Sequence, residues 1–401
     1  MHRQPVHTVY GGAHLFRFDT AIRLGRIAVR LMDDHLPDPA QITTLFGVES
    51  RFAETIHTRV RAKLEREAVE DFRIDFEDGY GNRSDEEEDG HAVSAATEVR
   101  NGYEQKTLPP YIGLRIKPMS KELERRSVRT LELFLSTLFD ARVNPELTSR
   151  FFVTLPKLTD RNQPAQLAEH LGELEQNLGL PTGSLHFEIM VETPQTLFGP
   201  DGLAVARLMV NAGGGRVSAA HFGTYDFTAA CNITAAHQHM HHPVCDFARS
   251  MMQVSLGDLV WLSDGSTAVL PVGDTESIQR AWQMHYHDVR RSLMLGFYQG
   301  WDLHPGQIVT RYIALYSFFL EAYDAAAGRL HNFMKNAAQA TLLGNSFDDA
   351  ATGQGLLNYF LRGINSGAFG EDEVIAATGL RLEELRTRSF SKILEMRRAN
   401  D

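Results

Sequence analysis

Residues 185–194, LHFEIMVETP, join a short apolar run to a carboxylate at its end. The run 185–191 is too short for a typical helix and contains the β-branched and aromatic residues that favour strands. Seven further runs share these properties, at residues 5–10, 72–76, 111–116, 151–155, 218–222, 266–272 and 300–303. The sequence therefore predicts eight buried strands.

Segments with helical spacing separate these runs. In residues 164–178, for example, Leu167, Leu171 and Leu174 fall on one stripe of a helix. The interval between the first two runs is long enough for two helices, predicted at residues 19–36 and 49–68. Alternating strands and helices form a parallel sheet with helices outside it. We therefore predict an α/β fold, a (β/α)8 TIM barrel, with a doubly wound sheet as the competing arrangement.

The length of the chain suits one barrel with an added segment. The chain has 401 residues, and a (β/α)8 barrel takes roughly 250 residues, or up to about 400 with insertions. The strand pattern stops near residue 309, and the remaining sequence has helical periodicity. We expect a catalytic barrel domain at residues 1–309 and a helical C-terminal extension at residues 310–401.

Charge and composition exclude several classes of protein. There are 40 lysines and arginines against 51 aspartates and glutamates, a net charge of −11, which argues against non-specific nucleic-acid binding. The two cysteines, Cys231 and Cys245, exclude a disulfide-built scaffold and suit a reducing compartment. No apolar run approaches the ~20 residues that span a membrane, and the first residues lack the features of a signal peptide. We expect a soluble cytoplasmic protein without nucleic-acid or membrane partners.

Polar or charged side chains follow most of the predicted strands, at the end where barrel enzymes carry their catalytic groups. They are Glu77, Asp78, Arg115, Lys157, Glu192, Asp226 and His304. Burying a carboxylate without a partner is costly, and neighbouring carboxylates repel one another unless a cation lies between them. Hard oxygen ligands of this kind indicate Mg²⁺ or Mn²⁺.

The order of the motifs adds a family resemblance. DFEDG, LRIKP, LPKL, VETP, FGTYDF and DLHPGQI follow one another between about residues 72 and 308. This succession resembles the citrate lyase β-subunit and malyl-CoA lyase branch of the HpcH/HpaI aldolase superfamily. Its members are (β/α)8 barrels that use Mg²⁺ to stabilise an enolate in aldol or Claisen-type cleavage and condensation. The resemblance therefore implies a metal-dependent carbon–carbon lyase.

The resemblance also implies roles for individual residues. Glu192 of VETP and Asp226 of GTYD resemble the two protein ligands of the metal. Arg115 resembles the arginine that faces the substrate carbonyl and the developing enolate. Glu77 and Asp78 resemble acidic residues that hold metal-bound water. Metal and arginine together would offset the negative charge of an enolate oxygen.

Four further residues are expected to contact the substrate: Lys157, Thr193, Pro194 and His304. The expected substrate is a small carboxylate, either a 2-oxo acid or a malyl- or citryl-type thioester with coenzyme A as the candidate carrier. A 2-oxo acid can chelate the metal through its carboxylate and keto oxygens. A homo-oligomer is expected.

Other interpretations of the same residues stay open at this point. Glu192 and Asp226 could form structural ion pairs with Arg115 or Lys157, and Lys157 could form a Schiff base. The chain could be a barrel transferase that uses phosphoenolpyruvate or pyruvate, or a non-catalytic barrel that binds a partner. The histidines at positions 237, 239, 241 and 242 lack further ligands at zinc spacing. Their segment is interpreted as a solvated loop, with a substrate-contacting or lid segment as the alternative.

Overall fold

The computed structural model describes residues 3–140, 145–335, 341–343, 346–348 and 350–398. Eight parallel strands follow one another around a closed barrel, and β8 pairs with β1 to complete the ring. The strands are β1 (His7–Gly12), β2 (Asp71–Asp75), β3 (Tyr111–Arg115), β4 (Phe151–Leu155), β5 (His186–Val191), β6 (Val217–Phe222), β7 (Trp261–Ser266) and β8 (Gln299–Asp302). The predicted (β/α)8 TIM barrel is confirmed, and the doubly wound sheet is excluded.

Seven strands begin and end within two residues of their predicted positions, but the prediction of the seventh strand at 266–272 was wrong. The strand lies earlier, at Trp261–Ser266, and it contains polar residues. Asp264 can be buried there because Arg249 Nε donates hydrogen bonds to both of its carboxylate oxygens, at 2.8 and 3.0 Å. The apolar side chain of Val269, which suggested a strand, lies in the following loop and is 46% exposed.

Helices follow the strands in chain order. They are α1 (Thr20–His35), α2 (Ala40–Phe46), α3 (Ser50–Glu67), α4 (Asp85–Gln105), α5 (Glu124–Leu138), α6 (Gln163–Leu178), α7 (Ala206–Ala212), α8 (Thr224–Ala230), α9 (Pro243–Leu256) and α10 (Thr275–Met294). The two helices predicted between the first strands correspond to α1 and α3, and Leu167 and Leu171 of α6 are buried as their spacing predicts. Within the described ranges, no helix combines the length and the apolar character needed to cross a bilayer.

The chain forms two compact units. One contains the barrel and consists of residues 5–35 and 64–309, while the other combines residues 1–4, 36–63 and 310–401. In the second unit, Arg59 of α3 binds the Glu373 carboxylate at 2.6 Å. Residues 36–63 therefore belong with the C-terminal segment, although they lie between two barrel strands in sequence.

The C-terminal segment is mainly helical, as predicted. Its elements are α11 (Pro305–Lys335), β9 (Thr341–Leu343), β10 (Ser346–Asp348), α12 (Ala350–Ser366), α13 (Glu371–Thr378), α14 (Leu382–Arg386) and α15 (Phe390–Arg398). The antiparallel pair of β9 and β10 was not predicted, because three-residue strands are too short to produce a periodic pattern. Residues 336–340, 344–345, 349 and 399–401 of the predicted extension lie outside the described residues.

The interior of the barrel carries charge. Along β2, Asp71, Arg73 and Asp75 occupy alternate positions, which point to one face of a strand. Arg73 reaches across the barrel and donates to both oxygens of Glu188 on β5, each at 2.9 Å, and His221 contacts the same carboxylate at 2.7 Å. Although burial acts to raise it, Arg73 and His221 hold the pKa of Glu188 well below its usual range. The inward face of β2 is therefore built to hold paired charges.

Candidate active site

Except for His304, which follows β8, the residues predicted to form a site lie at the carboxyl ends of five consecutive strands, β2 to β6. Neighbouring parallel strands bring these ends to one edge of the barrel, where barrel enzymes carry their catalytic groups. We call the following residues the strand-end cluster: Asp75, Glu77, Asp78, Arg115, Lys157, Glu192 and Asp226.

Arg115 is the buried cation of the cluster, with 2% of its side chain exposed. Its Nε donates to Asp75 Oδ1 at 2.7 Å and its Nη2 donates to Asp75 Oδ2 at 2.6 Å. The ring centres of Tyr10 and Trp301 lie 4.9 and 5.4 Å from the Arg115 guanidinium. Burial acts to lower the pKa of Arg115, but Asp75 raises it above its usual value. The guanidinium is therefore held charged and in one orientation.

Asp75 has a second function as an acceptor for the following loop. Its Oδ1 accepts the backbone N–H of Glu77 at 3.0 Å, and its Oδ2 accepts that of Gly79 at 2.7 Å. A Cβ at position 79 would lie 2.6 Å from Asp75 Oδ2, so this close approach requires glycine. Asp75 thus connects the orientation of Arg115 to the loop that carries the other acidic residues.

Glu77 and Asp78 are both paired with protein cations. Arg115 Nη1 lies 3.2 Å from Glu77 Oε2, and Lys157 Nζ donates to Glu77 Oε1 at 2.5 Å. The same ammonium group donates to the Asp78 carboxylate at 2.9 and 3.1 Å. Burial raises the pKa of Glu77. For Asp78, burial acts in the same direction, but hydrogen bonds with Glu77 and Lys157 lower the pKa overall.

Lys157 contacts the cluster through its backbone and its side chain. Its φ of +49° lies in the left-handed region, which non-glycine residues seldom adopt. Its backbone N–H donates to Glu192 Oε1 at 2.5 Å, and its Nζ lies 3.9 Å from Asp226 Oδ1. Burial acts to lower the pKa of Lys157, but the hydrogen bonds with Glu77 and Asp78 raise it overall. A protonated amine is not a nucleophile, so this environment argues against a Schiff base.

Glu192 has an unsatisfied carboxylate oxygen in a buried place. The residue is 1% exposed, and its Oε2 receives no hydrogen bond from any described residue. Burial, together with the neighbouring Asp226 carboxylate, raises the pKa of Glu192 to about 8. Near neutral pH this carboxyl therefore needs either a proton or a cation.

The charges of the cluster fit a divalent cation. Among the described residues of the cluster, five carboxylates face two protein cations, Arg115 and Lys157. Burial raises the pKa of Asp226 overall, while Lys157 acts to lower it. The Asp226 side chain is 45% exposed. The described residues include no group of three or more His, Cys, Asp or Glu side chains placed to hold a metal. Two carboxylates, Glu192 and Asp226, suit Mg²⁺ or Mn²⁺, which usually keeps water and substrate oxygens as its other ligands.

Gly223 makes room for Glu192. A Cβ at position 223 would lie 2.5 Å from Glu192 Cβ and 2.8 Å from its Oε2. We therefore expect Gly223→Ala to displace the carboxylate and to weaken Mg²⁺ binding at least ~10-fold, as loss of a group that orients a metal ligand does. Calorimetric titration with Mg²⁺ measures this. Gly90→Ala is the control, because a Cβ there meets no atom within 4 Å. Equal affinities in the two variants would contradict a role for Glu192 as a metal ligand.

Three other predicted substrate contacts, Thr193 and Pro194 next to Glu192 and His304 after β8, have local partners or local structure. Thr193 Oγ1 donates to the carbonyl of Leu158, which ties the end of β5 to the loop after β4. Pro194 begins a single turn of 3-10 helix. His304 accepts a hydrogen bond from the backbone N–H of Gly306 at 3.1 Å, and none of its described hydrogen bonds reaches the strand-end cluster. Substrate contact by Thr193, Pro194 and His304 stays a prediction.

The histidine-rich segment has separate partners for its side chains. His241 Nε2 lies 2.6 Å from Asp288 Oδ1. His242 accepts the backbone N–H of Val244 at 3.2 Å and so caps α9, while His237 is exposed. In the part of the chain that the structure describes, these histidines belong to no metal-binding group. The arrangement agrees with the interpretation as a solvated loop.

Sequence reasoning overlooked Asp75, the residue that holds Arg115. A signal was present, because Asp71, Arg73 and Asp75 alternate along β2, and strand residues two apart share one face. Three charged residues on the inner face of a buried strand require partners across the barrel. The aromatic neighbours of Arg115, Tyr10 and Trp301, gave no comparable signal, because aromatic residues are ordinary in strands.

The chain belongs to the family described as "Domain of unknown function (DUF6986)", which matches residues 1–393. The comparison with curated protein sequences finds no match.

Several solved structures share the fold. A citrate lyase from Burkholderia xenovorans LB400 has a TM-score of 0.60 at 18% identity, over 93% of this chain and 96% of its own. Malate synthase from Haloferax volcanii, in a magnesium/glyoxylate complex, has a TM-score of 0.53 at 14% identity, over 97% and 99%. CitE from Mycobacterium tuberculosis, in complex with magnesium, acetoacetate and coenzyme A, has a TM-score of 0.50 at 15% identity, over 90% and 98%. The fold is thus the barrel of citrate lyase and malate synthase-type proteins, as the sequence motifs suggested.

Proposed function

We propose that this chain is a metal-dependent carbon–carbon lyase, or the corresponding synthase, that works through an enolate. The observation that carries the proposal is the buried Glu192 carboxylate, whose Oε2 receives no hydrogen bond from a described residue. A buried acceptor without a partner costs about 1–3 kcal/mol, and more when charged. Such a cost has no structural benefit, so it favours a binding site for a cation over a non-catalytic barrel.

Arg115 would stabilise the enolate oxygen. Its charge and orientation are set in advance by Asp75 and by the ring of Tyr10. A preorganised cation needs no rearrangement when negative charge develops on the substrate, so it lowers the barrier more than a mobile one. Glu192 and Asp226 would hold Mg²⁺ or Mn²⁺, which supplies Lewis-acid polarisation of a substrate oxygen when bound.

The proposed substrate is a 2-oxo acid or a malyl- or citryl-type thioester. The Lys157 side chain lies beside Asp226 and is 30% exposed, so its ammonium group is a second cation that an anionic substrate can reach. The solved structures of similar fold support this class, since CitE was captured with acetoacetate and coenzyme A, and the malate synthase with glyoxylate. The substrate screen tests three sets of compounds, each with Mg²⁺: glyoxylate together with acetyl-CoA, pyruvate, and malyl thioesters. Turnover that requires Mg²⁺ supports the proposal, and no turnover with any of them would contradict it.

Arg115→Lys tests the role of the guanidinium. Lysine keeps the charge but loses the planar fork that binds Asp75 with two hydrogen bonds. We expect turnover to fall at least ~100-fold, because misplacement by about 1 Å has this effect. Inhibition by oxalate, a planar analogue of the pyruvate enolate, should require Mg²⁺ in the unaltered chain and weaken in the variant.

Arg125→Lys is the matched control, since the Arg125 side chain is 93% exposed. Its turnover and its inhibition by oxalate should equal those of the unaltered chain. Turnover by Arg115→Lys close to that of the control would show that Arg115 has only a structural function.

The proposal includes a homo-oligomer located in the cytoplasm. Phe247 and Val254 of α9 are 50% and 83% exposed, and they supply apolar surface for contact between copies of the chain. Cys231 and Cys245 are both free thiols, which suits a reducing compartment.

A further inference from the structure

A cavity lies in the barrel unit, at the opposite end of the strands from the strand-end cluster. It has a volume of about 1200 Å³. Its walls come from α1, from residues 64–69 just before β2, from residues 106–110 just before β3, and from Arg150, which immediately precedes β4. The last three of these segments lead into the amino ends of β2, β3 and β4, whereas Glu192 and Asp226 follow the carboxyl ends of β5 and β6. The cavity is therefore separate from the proposed catalytic site.

The lining of this cavity is basic. It includes Arg26, Arg30, Arg66, Lys106 and Arg150. Only two acidic residues, at positions 65 and 67, accompany these five cations. The chain as a whole has a net charge of −11, so this concentration of positive charge is local and opposite in sign. Concave surfaces with one sign of charge attract ligands of the other sign.

Four of these cations are available to a ligand. Arg26, Arg30, Arg66 and Lys106 are exposed, and none of them forms an ion pair with a described residue. Other surface arginines of this chain, such as Arg23, are paired with carboxylates. An unpaired arginine presents five N–H donors that match phosphate or carboxylate oxygens.

Three of the cations occupy positions that disfavour them. Arg26 and Arg30 lie one turn apart on α1, and like charges at this spacing destabilise a helix. Lys106 is the C-cap of α4 with φ +56°, a left-handed position where glycine is the usual residue. The charges are therefore kept despite local cost, which is typical of a binding surface.

The rest of the wall is apolar. Ile22 and Val29 of α1 line it, and Leu108 with two prolines, Pro109 and Pro110, lines the facing loop. Binding sites for small organic ligands usually combine such apolar walls with a few placed polar groups. A simple inorganic anion would leave this apolar surface uncovered.

We propose that this cavity binds a phosphorylated organic molecule, with its phosphates on the arginines and an uncharged ring or chain on the apolar wall. A nucleotide has this chemistry. The assignment does not depend on the proposed lyase activity, because it uses none of the same residues.

Isothermal titration calorimetry of the full chain, with EDTA present to remove divalent metals, tests the assignment with three probes: ATP, pyrophosphate and adenosine. We expect ATP to bind, pyrophosphate to bind more weakly, and adenosine to bind least. The double variant Arg26→Ala/Arg30→Ala should lose at least ~10-fold in ATP affinity, since hydrogen bonds to charged groups contribute that much or more. Arg66→Gln should also weaken ATP binding.

Arg23→Ala is the matched control, because Arg23 lies on the same helix but does not line the cavity. Its ATP affinity should equal that of the unaltered chain, and thermal melting should show all variants folded. Absence of ATP binding would overturn the proposal, as would equal ATP affinity in the double variant and the control. Pyrophosphate binding as tightly as ATP would overturn the assignment to an organic phosphate.

Discussion

Asp75→Asn is expected to lower the free energy of unfolding by about 3–5 kcal/mol, the usual effect of removing one partner of a buried ion pair. It should also lower turnover at least ~100-fold, because a catalytic group misplaced by about 1 Å loses this much. Asp75 receives two hydrogen bonds from Arg115 and one each from the backbone N–H groups of Glu77 and Gly79. Asparagine keeps one acceptor oxygen and turns an amide towards the remaining donors.

Urea unfolding followed by circular dichroism measures the stability, and turnover is measured with the substrate found in the screen. Asp258→Asn is the control, since it removes an exposed pair with Arg207 whose side chains are 63% and 47% exposed. Exposed pairs contribute about 0–1 kcal/mol, so the control should be nearly unaffected. If Asp75→Asn kept normal turnover, Asp75 would not position Arg115 for catalysis.

The strands could be predicted where burial follows hydrophobicity. Strand β4, FFVTL, is apolar except for Thr154 and is buried throughout, because both faces of a parallel strand in a barrel are covered. The sequence WLSDGS of β7 lacks this property, since Asp264 is neutralised by Arg249 from α9, fifteen residues earlier. A partner on another element leaves no local pattern, so hydrophobic periodicity alone could not locate this strand.

The strand-end positions of most cluster residues could be predicted, but Asp75 was missed and the pairing of the side chains was not predicted. Because they follow predicted strands, four residues were expected at one end of the barrel, and they lie next to one another there: Arg115, Lys157, Glu192 and Asp226. The sequence could not show that Lys157 adopts a left-handed backbone and directs its N–H to Glu192. Such a conformation is set by tertiary contacts and not by residue type. The variants Glu192→Gln and Arg115→Lys test whether these residues bind metal and substrate.

Glu192→Gln is expected to weaken Mg²⁺ or Mn²⁺ binding at least ~100-fold and to abolish turnover. Groups that only orient a metal ligand contribute about 10–100-fold to affinity, so loss of the ligand itself should exceed this. Glutamine has the same shape and can still accept the backbone N–H of Lys157. It removes only the negative charge and the acidic proton, so its fold should be retained.

Without metal, Glu192→Gln should increase the free energy of unfolding at high pH, although it weakens metal binding. The pKa of Glu192 is raised in the folded state to about 8, from an ordinary value of 4.5. Between these two values the folded state binds more protons than the unfolded state, so this group makes stability fall as pH rises. Above pH 8 the destabilisation is complete, because the buried carboxylate is then charged beside Asp226. Glu192→Gln removes this dependence and should be the more stable form at pH 8.5, with little difference at pH 5.

Calorimetric titration with Mg²⁺ and Mn²⁺ measures the first effect, and urea unfolding at pH 5 and pH 8.5 with EDTA measures the second. Glu276→Gln is the control, since its side chain is 81% exposed and pairs only with Arg280 in the next helical turn. The two effects separate a metal ligand from a structural carboxylate. If Glu192 were a structural carboxylate, its charge would stabilise a protein partner. Its substitution would then lower the stability of the chain at pH 8.5 and leave the metal affinity unchanged. Gain of stability together with loss of metal binding is expected only if the unpaired oxygen of Glu192 faces a cation in the working enzyme.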